Sequence, residues 1–330
     1  MECYQISALR LNKMNFLASG TMNNFSRRQF LNTTLALTGF AVIDPKNFKK
    51  AKPRLSFSTL GCPDWDLDKI LSFAKDNGYS GIEFRGLQRQ MDLTKCPEFG
   101  QENIKSTLKK FSNKNLRIVN LGASAALHHA DPVERKKSIE EGKSFIRLAS
   151  DLKCPYIRVF PNNLPKDRDK NETLNLIAQG LTELGEFAMD KNVIVLMETH
   201  GEVVYTADIE KVMTLANHPK VGLVWDFVNM WAVTKEEPDQ MYERLKKFIY
   251  HTHIKDFKLI DGKIRYVPLG EGETPIFKAV DLLSKNHYSG YYSFEWEKMW
   301  HPEIEAPEIA IASYSKTLLK NLKNQNPRSK

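Results

Sequence analysis

Four short apolar runs constrain this 330-residue chain more than any other feature. They span Val193–Glu198, Val221–Asp226, Ile249–His253 and Gly290–Glu295, and each ends on a side chain able to ligate a divalent cation. Branched and aromatic residues dominate every run, the composition of a strand buried on both faces. Successive end residues lie 28, 27 and 42 positions apart. Each interval has room for a helix, and strands joined through helices run parallel. Glu198, Asp226, His253 and Glu295 are then expected at one shared end of the sheet. A polar residue at a single strand end is ordinary; the same placement on four successive strands is not.

The upstream half extends the pattern. Leu55–Leu60, Gly81–Phe84, Leu116–Leu121 and Tyr156–Phe160 read as four further strands, stopped by Gly61, Arg85, Gly122 and Pro161. Helical spacing separates several of them: Leu67, Ile70, Leu71 and Ala74, then Ile139, Ile146 and Ala149, then Leu174, Ile177, Leu181 and Leu184. Further helices are expected over about 206–217, 238–247, 274–286 and 307–321. The alternation predicts an α/β fold, a single (β/α)8 TIM barrel within residues 51–330, with no second domain. About 250 residues suffice for such a barrel, and its chemistry sits at the C-terminal strand ends.

The formal charge of +8 first suggests a nucleic-acid partner. Its location argues otherwise. Residues 1–50 hold seven Lys/Arg against two Asp/Glu, and residues 316–330 hold five basic residues and no acidic one. The chain between them is slightly acidic, so no basic footprint for nucleic acid is expected. Within the first fifty residues, Ser26–Leu31 reads S-R-R-Q-F-L, a twin-arginine-type leader motif, followed by a weakly apolar run to Ile43. That run is too short for a membrane span. Residues 1–50 are accordingly read as a targeting leader and linker, with Met22 a plausible initiator, and the mature protein is expected in the periplasm or otherwise exported. Four cysteines without zinc-type or redox-type spacing carry no assigned chemistry.

The segments LMETHG (196–201), VWDFVN (224–229), HTHIKD (251–256), RYVPLGEG (265–272) and FEWE (294–297) resemble the sugar phosphate isomerase/epimerase family. These are xylose isomerase-like TIM barrels that include ketose 3-epimerases and inosose-processing enzymes, and the resemblance covers roughly residues 55–320. It implies one divalent ion on Glu198, Asp226, His253 and Glu295. The oxygen-rich donor set suits Mn²⁺ first, with Mg²⁺, Co²⁺ or Zn²⁺ as alternatives. It also implies that Glu198 and Glu295 move a proton at a carbon beside a carbonyl, through an enediolate, in an isomerase or epimerase acting on a small sugar or sugar derivative.

Substrate contacts implied by the same resemblance are His200, Asn229, Lys255 and Arg265. Asn229 stands where family epimerases often carry a titratable His, and Arg265 competes with a plain surface ion pair. His251 shares a strand face with His253 and is expected deeper in the barrel. Glu83 reads equally as a substrate contact or as a buried partner of Arg85 or Arg117. His128 and His129 read as a solvated pair in preference to a substrate contact near the mouth, Gly270–Gly272 as a turn, and Trp225, Trp231, Trp296 and Trp300 as an aromatic mouth or as core.

Three rivals follow. A metal-dependent lyase would expel the anomeric group of a 3-keto-glycoside by β-elimination. A non-catalytic carbohydrate-binding barrel would use the same mouth. An endonuclease IV-type phosphodiesterase needs a larger histidine set than this chain carries. A homo-oligomer is compatible with the sequence.

Overall fold

The computed structural model describes residues 52–324, so the twin-arginine-like leader lies outside the described residues. Eight parallel strands form the barrel: β1 (Arg54–Ser58), β2 (Gly81–Phe84), β3 (Arg117–Ala126), β4 (Tyr156–Phe160), β5 (Ile194–Glu198), β6 (Val221–Asp226), β7 (Ile249–Ile254) and β10 (Tyr291–Phe294). They close in the order β1-β10-β7-β6-β5-β4-β3-β2. Two remaining strands, β8 (Phe257–Ile260) and β9 (Lys263–Tyr266), make a separate antiparallel hairpin.

Helices cover the outside: α1 (Leu67–Asp76), α2 (Ile104–Asn113), α3 (Pro132–Asp151), α4 (Lys170–Phe187), α5 (Thr206–Ala216), α6 (Phe227–Thr234), α7 (Pro238–Leu245), α8 (Ile276–Lys285) and α9 (Pro307–Asn324). Local chemistry sets their starts. Asp66, Asp131 and Asp169 each accept first-turn backbone N–H groups at α1, α3 and α4. Burial then holds them on the barrel. Leu174, Ile177, Leu181 and Leu184 of α4 are fully buried, each worth about 1.5–3 kcal/mol relative to exposure.

Strand alternation divides the core in two. Val195, Met197, Leu223 and Trp225 join the apolar layer between strands and helices. Glu198 and Asp226 stand in the other phase and face the barrel interior. Trp225 packs on Phe227 and Tyr242, and Trp296 stacks on Phe294. Both indoles therefore belong to the core, the second of the two readings that the sequence left open for them.

Three elements depart from expectation. The third strand continues past Leu121 to Ala126, with a register irregularity beyond Gly122. Its extension, Gly-Ala-Ser-Ala-Ala, has no branched residue to announce a strand. An extra helix, α6, begins directly at the end of β6. The β8–β9 hairpin turns at Asp261–Gly262, both with positive φ, the backbone of a type I′ turn.

Candidate metal centre

β5, β6 and β7 end in Glu198, Asp226 and, one residue before its last, His253, while Glu295 immediately follows β10. All four are buried, and one ligating atom from each lies within 4.8 Å of the others. His253 Nδ1 is 3.1 Å from Glu198 Oε1, 3.2 Å from Glu295 Oε1 and 3.8 Å from Asp226 Oδ2. Ligands about 2.0–2.2 Å from a common ion are separated by roughly 3.0–3.6 Å, so the two glutamate distances suit a single divalent cation and the Asp226 distance is slightly longer. Two buried oxygens, Glu198 Oε2 and Asp226 Oδ2, have no hydrogen-bond partner. Cations approach both, Arg158 Nε at 3.0 Å and Lys255 Nζ at 2.8 Å, but without hydrogen-bond alignment. We read these two contacts as ion pairs that leave lone pairs free.

Behind His253 lies a fourth carboxylate, that of Glu83. Glu83 Oε1 meets His253 Nε2 at 2.9 Å, and Glu83 Oε2 meets His251 Nε2 at 2.8 Å and accepts from Ser293 Oγ at 3.2 Å. All three partners are fully buried. Neither Arg85 nor Arg117 is Glu83's partner, in contrast to the sequence reading; the β7 histidines take that place because β7 and β2 face each other across the barrel interior. His251 lies where strand periodicity put it, one carboxylate removed from the centre. The arrangement fixes a proton on His253 Nε2 and aims Nδ1 at the carboxylates, as a metal-bound histidine requires.

Asp226 is oriented by the start of α6. It accepts the Asn229 backbone N–H at 2.8 Å, and Thr199 Oγ1 ties the ends of β5 and β6 through hydrogen bonds of 2.9 Å to the Asp226 backbone. The Asn229 side chain reaches the Thr199 carbonyl at 3.4 Å rather than a ligand oxygen. Lys255, 2% exposed, holds Glu295 Oε2 at 2.7 Å and Glu297 Oε1 at 2.8 Å. Glu297 was not singled out from the sequence; its two-residue offset from Glu295 was the available signal.

Electrostatics divide the group. Burial would push Glu295 up, but His253 and Lys255 outweigh it and hold the carboxyl well below the usual range. Glu198 is likewise lowered, with burial and Glu295 opposing His253 and Arg158. Asp226 is the exception: burial carries it up to about 7 despite Lys255. Burial opposes a charge on His253, yet Glu295, Glu83 and Glu198 hold its imidazolium well above the ordinary histidine range. In the metal-free protein the ring carries the proton that a cation would replace.

The remaining candidates are placed less closely. His200 packs on Phe160 at 4.5 Å, and its Nδ1 is 3.1 Å from Asn162 Oδ1. Burial lowers its pKa, which favours the neutral ring. Arg265 is exposed on β9, while the neighbouring Tyr266 ring lies 5.7 Å from Lys255 Nζ. The His128 and His129 rings lie 4.1 Å apart, tilted by 37°, but His128 is buried rather than solvated. Gly270 and Gly272 form the expected turn. Their N–H groups both donate to Asp256 Oδ2 at 3.0 Å, so the protein's own carboxylate fills the loop. A Cβ on Gly272 would lie 1.9 Å from Asp256 Oδ1, so only glycine fits.

Comparison with known proteins agrees with the fold. The xylose isomerase-like TIM barrel family matches residues 71–321, and the chain belongs to that family. Among characterised relatives, the inosose isomerase of Halalkalibacterium halodurans is 26% identical over 252 residues, covering 74% of this chain and 87% of the relative. An inosose dehydratase of Clostridium botulinum is 29% identical over 300 residues, covering 80% and 96%. A solved IOLI protein with a bound zinc atom superposes with a TM-score of 0.69 at 19% identity, covering 82% of this chain and 98% of that one. A xylose isomerase-like barrel from Mycobacterium smegmatis in complex with magnesium gives 0.62 at 16% identity, covering 82% and 97%.

Proposed function

We propose that the protein is a divalent-metal-dependent isomerase or epimerase of a sugar-like hydroxy-ketone. The observation that carries the reading is the placement of Glu198 and Glu295. They arrive from strands separated by β6 and β7, and their Oε1 atoms flank His253 Nδ1 at 3.1 and 3.2 Å. Glu198, Asp226, His253 and Glu295 would hold the ion. When bound, it would polarise the ketone and neighbouring hydroxyl and so acidify the C–H between them.

The chain's own groups do the rest. Each glutamate presents a second oxygen, Glu198 Oε2 beside Arg158 and Glu295 Oε2 beside Lys255. One carboxylate takes the proton from the carbon and the other returns it from its own side. Arg158 and Lys255 keep both carboxylates ionised beforehand and stabilise negative charge that develops on substrate oxygens. His200, Asn229 and Arg265 stand as outer substrate contacts in this reading. An exported location through the leader is part of the same proposal.

The test is exchange in D₂O with a panel of ketoses and inositol ketones. Deuterium is expected at the carbon beside the carbonyl, and Glu198→Gln and Glu295→Gln should each reduce turnover roughly 10²–10⁴-fold. Normal turnover in both variants with metal still bound would refute the assignment. A second reading is supported by the inosose dehydratase that matches over 96% of its length: the same carbanion can expel a β-oxygen. Label accompanied by a lost hydroxyl or aglycone, including that of a 3-keto-glycoside, would select the lyase.

A further inference from the structure

We propose that Arg85 and Arg158 together hold an oxyanion of the substrate, a carboxylate or a phosphate ester, on the Glu198 side of the centre. This deepens the hydroxy-ketone reading and rests on it. Arg85 follows β2 directly, and its backbone N–H donates to Thr59 Oγ1 at 3.0 Å, which fixes the start of the side chain. The residue is only 8% exposed, yet its ordered side-chain partner is a neutral hydroxyl, Ser124 Oγ, 3.0 Å from Nη2. Nη1 is buried without any acceptor. The nearby Glu141 accepts the Ser124 backbone N–H on Oε1 at 2.6 Å and acts on Arg85 through its charge, without an ion pair at contact distance among the described residues.

Arg158 converges on the same place from β4. It is 1% exposed, its Nη1 donates to the Ala123 carbonyl at 2.8 Å, and its Nε has no aligned acceptor. Gly122 lies where the two side chains meet. A Cβ there would come within 2.7 Å of Arg85 Cδ and 2.9 Å of Arg158 Nη2. Phe160 floors the pair, with its ring 3.8 Å from the Arg158 guanidinium carbon and 5.9 Å from that of Arg85.

Two guanidiniums share this confined space, and among the described residues only Arg158 has a carboxylate within ion-pair distance, Glu198. Burying a charge is costly unless it is paired, and a hydroxyl returns little of that cost. A planar guanidinium fork is matched by the paired oxygens of a carboxylate or phosphate. Lys255 sits on the Glu295 side, so an oxyanion at Arg85 would orient the hydroxy-ketone between the two glutamates. The substrate class that follows is a keto sugar acid or a ketose phosphate rather than a neutral sugar.

The test compares D-fructuronate, D-fructose 6-phosphate and D-fructose by calorimetry on the full-length, metal-loaded protein. At least one anion should bind roughly tenfold or more tightly than fructose, and whichever keeps the margin identifies the oxyanion. Arg85→Gln should abolish that margin at unchanged metal stoichiometry. Arg85→Lys, which keeps the charge without the fork, should reduce it several-fold and serves if the Gln variant does not fold. Equal affinities, no binding by either anion, or a margin surviving substitution would overturn the proposal. Heat of binding needs no turnover, so failure of the Glu198 and Glu295 exchange test would count against the functional reading separately.

Discussion

Replacing Glu83 by Gln isolates the interaction that aims His253 at the carboxylates. The carboxylate serves three buried partners at once, His253 Nε2, His251 Nε2 and Ser293 Oγ. An amide keeps the shape but turns one acceptor oxygen into a donor. If its oxygen stays on His253, its NH₂ faces His251, which must move its proton to Nδ1, an atom without a partner. With metal in place of the ring's second proton, the bond from His253 to the amide oxygen is then neutral. Charged hydrogen bonds contribute about 1.5–3 kcal/mol and neutral ones about 0.5–1.5 kcal/mol, so roughly 1–1.5 kcal/mol of orientation is lost. Outer carboxylates of metal-bound histidines are typically worth 10–100-fold in affinity. Metal affinity should therefore fall about tenfold, measured by competition against a chromogenic chelator at pH 8 with circular dichroism as the fold control. Unchanged affinity in both Glu83→Gln and Glu83→Ala would refute the role. A loss as complete as that of His253→Ala would make Glu83 a ligand instead.

The pH dependence has a definite sign. Metal must displace the proton held on His253 and, below about pH 7, the one on Asp226, so affinity should climb by up to about tenfold per pH unit for each displaced proton. Calorimetry in buffers of different ionisation enthalpy counts those protons, and a flat profile from pH 6 to 8 would contradict the charge assignment. Lys255→Met strands Asp226, Glu295 and Glu297 without their shared cation. Breaking a buried pair this way costs about 3–5 kcal/mol, a fall of roughly 10 °C in Tm for the metal-free protein. Added metal should restore part of it, whereas an unchanged Tm would show that the ammonium is not a structural tie.

How much of this was readable without coordinates follows from the physics of each segment. The four ligand-bearing strands were legible because buried parallel strands are written as short branched runs, and a ligand at the run's end needs no long-range information. Glu83 was visible as an oddity, but its partners were not, since they lie 168 and 170 residues away. Pairing across a barrel interior leaves no local pattern. The β3 extension was hidden by its small residues. The β8–β9 hairpin is different: Asp261–Gly262 between Leu259-Ile260 and Ile264 is a strong local turn signal, but it stands outside the βα alternation that defines the barrel. Arg85 and Arg158 also stood in plain sequence beside strand ends, and only their convergence over Gly122 gives them meaning.

The two glutamates are not equivalent, and the difference assigns their roles. Lys255 grips Glu295 Oε2 with an aligned hydrogen bond at 2.7 Å, and a carboxylate oxygen so held accepts a proton poorly. Arg158 stands 3.0 Å from Glu198 Oε2 but off the hydrogen-bond direction, leaving that oxygen buried and without a donor. Burial opposes the charge on both carboxyls, yet both are held below their ordinary range, Glu295 by His253 and Lys255 and Glu198 by His253 and Arg158 against the repulsion of Glu295. Glu198 Oε2 is thus the better proton acceptor and Glu295 the group fixed in place by Lys255. Glu198→Gln should stop the washout of substrate C–H label into solvent altogether. Glu295→Gln should retain measurable washout while product formation falls by about 10²-fold or more. The reaction can be followed in one direction with a tritiated or deuterated ketone and trapped before turnover. Washout that survives in Glu198→Gln but vanishes in Glu295→Gln would reverse the roles and place the abstracting oxygen beside Lys255.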